Sequence, residues 1–477
     1  MRVTVLGAGP AGLAAADALA ERGAGVRLFE RDGQVGGMCR TVEQNGYRFD
    51  LGGHRFFTRF DEVEALWHDL LGDDLLRRNR KSRILYGGSL FEYPLSVPDV
   101  VGGLGPVEAA RCLVSYAQAR ARPRGDEQSF EDWVRNRFGD RLFETFFQTY
   151  TEKVWGMPCS EIGAEWAAQR IKKLDLATAV KDAVLRPLEA RLSRGSDGPR
   201  ATSLVGWFWY PRLGPGMLFE AWARRACERG ARLDLQHEVV GLQHSGGRIT
   251  SVTARTASGE LVEDAVEHVI SSIPLPVLVR QLSPSPPEAV VSAAKGLRFR
   301  HLRTVNLVLD RAHLFPDQWV YVHDPELAVG RVQNFGSWSP WMLADPSTSC
   351  VGMEYFCSTG DPIWEASDAQ LIARATAELE RAGLAKGARV LDASSVRVPR
   401  AYPVYDQHYR GRLDTIRAWL SGFSNLQPIG RYGMFKYNNS DHSVLTALLA
   451  AENLFGADHD VWAVNTDTAY HEVRPGR

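Results

Sequence analysis

Arg2-Val3-Thr4-Val5-Leu6-Gly7-Ala8-Gly9-Pro10-Ala11-Gly12 runs from an apolar, β-branched stretch directly into a GxGxxG turn. Residues 2–6 read as a buried parallel strand, residues 11–22 as an Ala-rich helix, and Gly25 to Glu30 as a second strand. The result is a βαβ unit with the glycines at its first corner. Gly7 permits the tight turn, Gly9 lets backbone approach a pyrophosphate, and Gly12 lets helix and strand pack closely. The helix start presents free N–H groups to phosphate oxygens. Glu30, ending the second strand, is placed to accept from a ribose hydroxyl. A glycine turn made only for packing would need neither this placement nor the carboxylate, so the unit reads as a dinucleotide site. The same apolar start imitates a secretory leader. Gly7, Gly9 and Gly12 break it, however, and Asp17, Glu21 and Arg22 follow it, which favours strand-turn-helix.

The 477-residue chain is long enough for two or three domains, and its net charge of -1 argues against nucleic acid as a partner. One basic run, Arg77-Arg78-Asn79-Arg80-Lys81, reads as a solvated face. The cysteines Cys39, Cys112, Cys159, Cys227, Cys350 and Cys357 are widely spaced. No disulfide framework is expected, and a reducing cytoplasm fits. No apolar run is long enough for a membrane span, and no metal-ligating cluster stands out. The 13 tryptophans suit a site that stacks flat ligands.

Away from the first corner the period of apolar residues changes. Residues 83–86 and 89–93 alternate around Gly87-Gly88, as in a β-hairpin. Residues 96–200 are helical in pattern. Strands return over 233–275, and residues 303–357 alternate like a mostly antiparallel sheet. The last 55 residues suggest a strand, a glycine-rich turn and a helix over 443–454. These switches predict an α/β chain, α+β overall. Its Rossmann-type dinucleotide domain is assembled from residues 1–75, 201–295 and 401–477. A helical insert spans 96–200, and a substrate-binding sheet draws on 76–95 and 296–400.

Gly36-Gly37-Met38-Cys39-Arg40-Thr41 resembles the GGxxRT element of the flavin amine oxidase superfamily. There a second glycine turn and an arginine brace the phosphates of FAD. Phe49 to His54 resembles the segment beside the isoalloxazine, Glu238-Val239 the strand at the adenine, and His268 to Pro274 a return strand. The resemblance implies FAD held by Gly7, Gly9, Gly12, Glu30, Arg31, Gly37, Arg40, Thr41, Gly53, His54, Val239, Arg431 and Asp441.

Within that superfamily the chain resembles the UDP-galactopyranose mutase family. Gly52-Gly53-His54-Arg55-Phe56-Phe57-Thr58 is similar to its GPHxFHT loop, with Gly53 for proline and Phe57 for the second histidine. Phe146 to Trp155 is similar to FxxxYTxKQW, which implies Phe146, Tyr150 and Trp155 around the base, ribose and sugar. The alternative is that these aromatics fill the helical core. Arg170, one position out of register, and Arg303 resemble the arginines that grip the diphosphate. Surface ion pairs would be the ordinary alternative for both. Tyr402-Pro403 resembles the element aimed at the sugar. Gly430 to Asp441 is similar to GRxGxYRYxDMD, which implies Arg431 at the flavin and Tyr437 at the diphosphate; Lys436 and Asn439 depart from that pattern.

The resemblance implies a mutase that interconverts pyranose and furanose forms of a nucleotide sugar. Reduced FAD would attack the anomeric carbon through N5, with His54, Arg303, Tyr402 and Arg431 at the reaction centre. A separate reductant would supply the electrons, and a homodimer stays open. The FAD motifs equally admit an oxidoreductase: an amine, sugar or porphyrinogen oxidase, or a desaturase. A flavin-bearing binding protein without turnover is the third class.

Overall fold

The computed structural model describes residues 1–93, 95, 97–164 and 206–465. A parallel sheet of five strands lies at its centre, in the order Leu426–Pro428, His268–Ser271, Arg2–Leu6, Gly25–Phe29 and Arg232–Asp234. Four separated stretches of sequence therefore meet in one sheet. The strands are short, and the central one, Arg2–Leu6, is buried over four of its five residues, as expected where helices cover both faces. Helix Pro10–Glu21 packs against Ser440–Asn453 and Gly216–Glu228. Asp17 is buried between the first and last of these. Its carboxylate accepts from Trp222 Nε1 at 2.9 Å and Arg229 Nη1 at 2.7 Å, and it also pairs with Arg225. Asp17 thus fastens the first helix in place.

The second large sheet has seven strands, in the order Val390–Pro403, Phe299–Leu309, Ser349–Cys357, Arg331–Asn334, Trp319–Val322, Ser82–Tyr86 and Ser89–Glu92. It is antiparallel except where Trp319–Val322 runs parallel to Ser82–Tyr86. Gly87 and Gly88 both take positive φ in the hairpin turn, the backbone a two-residue turn requires. A smaller four-stranded sheet holds Glu238–Ser245, Arg248–Arg255, Leu261–Ala265 and Leu282–Ser283.

Residues 97–155 form helices Val97–Leu104, Pro106–Ala121, Phe130–Leu142 and Thr149–Trp155, with a π-helical turn over Phe143–Gln148. Part of the basic run lies in a strand, Leu75–Asn79, which pairs with Trp207–Pro211. Among the described residues, no helix is long and apolar enough to cross a membrane, and no cluster of side chains could hold a metal ion.

Candidate functional site

A cavity of about 410 Å³ runs between the parallel and the seven-stranded sheets. At one end lie Gly7, Gly9, Glu30, Arg31, Gly37, Arg40 and Val239. Gly7 turns with φ 94°, and a Cβ on Gly12 would sit 1.7 Å from Gly7 O. Close packing therefore explains Gly12. Gly9 is different: a Cβ there would meet no protein atom within 4 Å. Its freedom serves the cavity, not the fold. Gly36 N donates to Ala8 O at 2.8 Å, so the two glycine turns are tied together. The Glu30 carboxylate accepts from Ala8 N at 2.7 Å and Asp32 N at 3.0 Å, and burial raises its pKa. Arg40 is held at the cavity by Asp32 at 2.6 Å.

The other end is lined by His54, Trp319, Tyr321, Arg331, Gln333, Tyr402, Arg431 and Tyr437. The Arg431 guanidinium lies 4.1 Å from the Tyr437 ring centre and 5.3 Å from that of Tyr402. Arg331 donates to the Tyr402 hydroxyl at 2.8 Å and is ion-paired with Glu354. Glu354, 1% exposed, also accepts from Gln333 Nε2 at 2.6 Å. The Nε groups of both Arg331 and Arg431 are buried without a protein acceptor. Such orphaned donors are expected where a ligand completes the site.

His54 Nδ1 lies 3.0 Å from Gly52 O. A carbonyl only accepts, so Nδ1 carries the proton and Nε2 is left as an acceptor. Burial lowers the His54 pKa to about 4; the Gly52 carbonyl opposes this, and Arg331 and Arg431 reinforce it. His54 is therefore neutral near pH 7. The Cys39 thiol is pushed up to about 12 by burial, which leaves it unreactive.

The flavin-containing amine oxidoreductase family profile matches residues 10–454. The chain belongs to this family. Coproporphyrinogen III oxidase of Mycobacterium tuberculosis is 26% identical over 440 residues, covering 88% of this chain and 89% of that protein. A probable UDP-galactopyranose mutase of Klebsiella pneumoniae is 27% identical over 171 residues, 34% of this chain and 43% of the mutase, so that match spans less than half of the relative. The crystal structure of reduced UDP-galactopyranose mutase superposes with a TM-score of 0.83 at 20% identity, covering 98% of this chain and 97% of that one. The fold is shared with that mutase, and the cofactor is FAD. The cavity suits this group, with Gly9 open toward it and the Glu30 carboxylate and Arg40 beside the two glycine turns.

Several residues expected at this flavoenzyme's site lie elsewhere. Arg303 is fully buried and turned away; its guanidinium is bound by Ile363 O, Ala366 O, Ser395 Oγ and Asp368. Arg331 occupies the cavity wall instead. Thr41 faces inward, donating to Asp50 at 2.9 Å and accepting from Gly216 N at 3.0 Å. Asp441 pairs with His442 at 3.0 Å, and Asn439, Ser440 and Ser443 of the same turn line the cavity. Phe146 packs edge-on to Phe91 at 5.3 Å, in the core. Tyr150 stands behind the wall, stacked on His323 at 4.7 Å and edge-on to Tyr321 at 5.5 Å. Trp155, 3% exposed, lies behind Tyr437 at 6.5 Å. Arg170 falls outside the described residues.

Arg331 and Gln333 were missed because no familiar motif contains them. A signal existed in Arg331-Val332-Gln333: polar residues at a spacing of two share one face of a strand.

Proposed function

We propose that this flavoenzyme is a nucleotide-sugar mutase that interconverts pyranose and furanose forms and works with reduced FAD. The observation that carries the reading is the pair of cations, Arg331 and Arg431, on either side of Tyr402 in the cavity wall. Guanidinium forks suit a diphosphate that must leave and be recaptured. No side chain in the cavity is an activated nucleophile: Cys39 is an un-ionised thiol and His54 a neutral ring. Reduced FAD supplies the missing nucleophile at its N5. In this reading Arg331 and Arg431 hold the diphosphate, and Tyr402 orients the sugar between them. His54 offers Nε2 as an acceptor and holds no proton there to give. Water exclusion by Trp319, Tyr321 and Tyr437 strengthens these charge contacts.

An FAD-dependent oxidoreductase is the second reading, favoured by the match to coproporphyrinogen III oxidase along 88% of the chain. Titration with UDP, TDP and GDP in both redox states separates the two. The mutase reading expects binding below millimolar concentration that is weakened in Arg431→Gln; absence of binding by all three in both states overturns it.

A further inference from the structure

Strand Val390–Pro403 breaks its pairing where it meets the cavity. Opposite Phe299–Leu309 the register runs from Arg300 with Tyr402 to Leu302 with Val398. Pro399, Arg400 and Ala401 therefore stand against His301 alone, as a bulge. Arg400 has φ 58°, a left-handed conformation that costs a residue with a Cβ and persists only when its surroundings enforce it. His301 supplies the enforcement. Arg400 N donates to His301 Nδ1 at 2.8 Å, and His301 Nε2 donates to Thr359 Oγ1 at 3.0 Å.

The bulge turns Arg400 into the cavity wall. Among the described residues its guanidinium has no hydrogen-bond or ion-pair partner. Burial lowers its pKa first, Arg31 and Arg280 lower it further, and Glu238 opposes them. Asp32, 3.8 Å from Arg31, offsets part of this positive charge, and the Arg400 guanidinium is left facing the cavity. Arg31 and Glu238 line the cavity beside Glu30 and Val239, and Arg280 is an exposed residue near them.

We propose that Arg400, aimed by the His301-held bulge, is a contact for the pyrophosphate of FAD, with Arg31 and Arg280 completing a positive rim. The seven-stranded sheet then takes part in holding a cofactor whose glycine cradle lies wholly on the parallel sheet. The inference rests on FAD as the cofactor and is independent of the mutase reading.

FAD and riboflavin are titrated into the full chain after flavin removal, with flavin fluorescence as the readout. Arg400→Gln should raise the FAD dissociation constant about tenfold or more and leave that of riboflavin, which lacks phosphates, unchanged. His301→Ala should reproduce the loss, and His301→Asn, which keeps an acceptor near Nδ1, should restore affinity. Arg280→Gln changes an exposed side chain and serves if Arg400→Gln does not fold; it should weaken FAD binding in a salt-sensitive way. Unchanged FAD affinity in folded Arg400→Gln, or in Arg280→Gln where it stands in, overturns the proposal. So does an equal loss for riboflavin.

Discussion

Arg331 reaches over two intervening strands of the seven-stranded sheet to donate to the Tyr402 hydroxyl at 2.8 Å. Its charge is balanced by the buried Glu354. This pairing fixes the face of the sheet that lines the cavity. In the proposed function it also ties nucleotide binding to stability, because the same guanidinium would serve both.

Arg331→Ala should therefore cost about 3–5 kcal/mol, since it leaves Glu354 buried and unpaired. The double variant Arg331→Met with Glu354→Gln should recover most of that stability while leaving nucleotide binding impaired. Denaturant unfolding and nucleotide titration on the same samples check the separation. Equal stability in the single and double variants would count against a coupled pair.

Two glycines of the first turn should behave oppositely. Gly9→Ala places its methyl in the cavity without touching protein, so the protein should fold with a near-native melting temperature and little bound FAD. In Gly12→Ala the methyl collides with Gly7 O at 1.7 Å, so the fold itself should suffer. Flavin absorbance and thermal melting report both. Full FAD content in Gly9→Ala would remove the argument that this space belongs to the cofactor.

Acid stability provides a third test. Burial lowers the His323 pKa to about 3, with Lys153 adding to it and the Phe146 backbone opposing; His54 falls to about 4. Unfolded histidines titrate near 6.5. Between about pH 4 and 6.5 the unfolded chain binds these protons and the folded one does not, so stability present above pH 6.5 is lost as pH falls. Asp50 acts in the other direction. Burial raises it to about 7, against the bonds from Tyr210 and Thr41, so its contribution is lost as pH rises from about 4 to 7. His323→Phe should flatten the acid loss and Asp50→Asn should steepen it. Parallel pH profiles in both variants would contradict the assignment.

Arg303 should prove structural. Arg303→Ala breaks the bonds to Ile363 O, Ala366 O and Ser395 and should lower the melting temperature. Nucleotide affinity should stay at the wild-type value. A selective loss of affinity without destabilisation would return Arg303 to the site.

The cofactor end was legible in the sequence because its chemistry is local. Strand, glycine turn and helix are contiguous from Arg2 to Glu21, and the structure reproduces them within a residue or so. The other end is assembled from strands far apart in sequence, and there the residue type alone misled. Arg303 and Arg331 are both arginines on strands of one sheet, yet only Arg331 points into the cavity. A shift of a single residue on a strand reverses the face, and no short motif records which face is buried against helix Asp368–Arg381 and which lines the cavity. Trp155 and Tyr150 were legible as aromatics near the site, but a layer of Tyr321 and Tyr437 separates them from it. The bulge at Arg400 left no mark in the apolar period at all.

The most direct test of the mutase reading is anaerobic turnover of a panel of nucleotide sugars by the dithionite-reduced enzyme, run beside an aerobic oxygen-consumption assay of the oxidised enzyme. A pyranose and its furanose isomer should equilibrate only when the flavin is reduced, without net oxidation of the sugar. Substrate-dependent oxygen consumption by the oxidised enzyme, with no isomer formed by the reduced one, would contradict it.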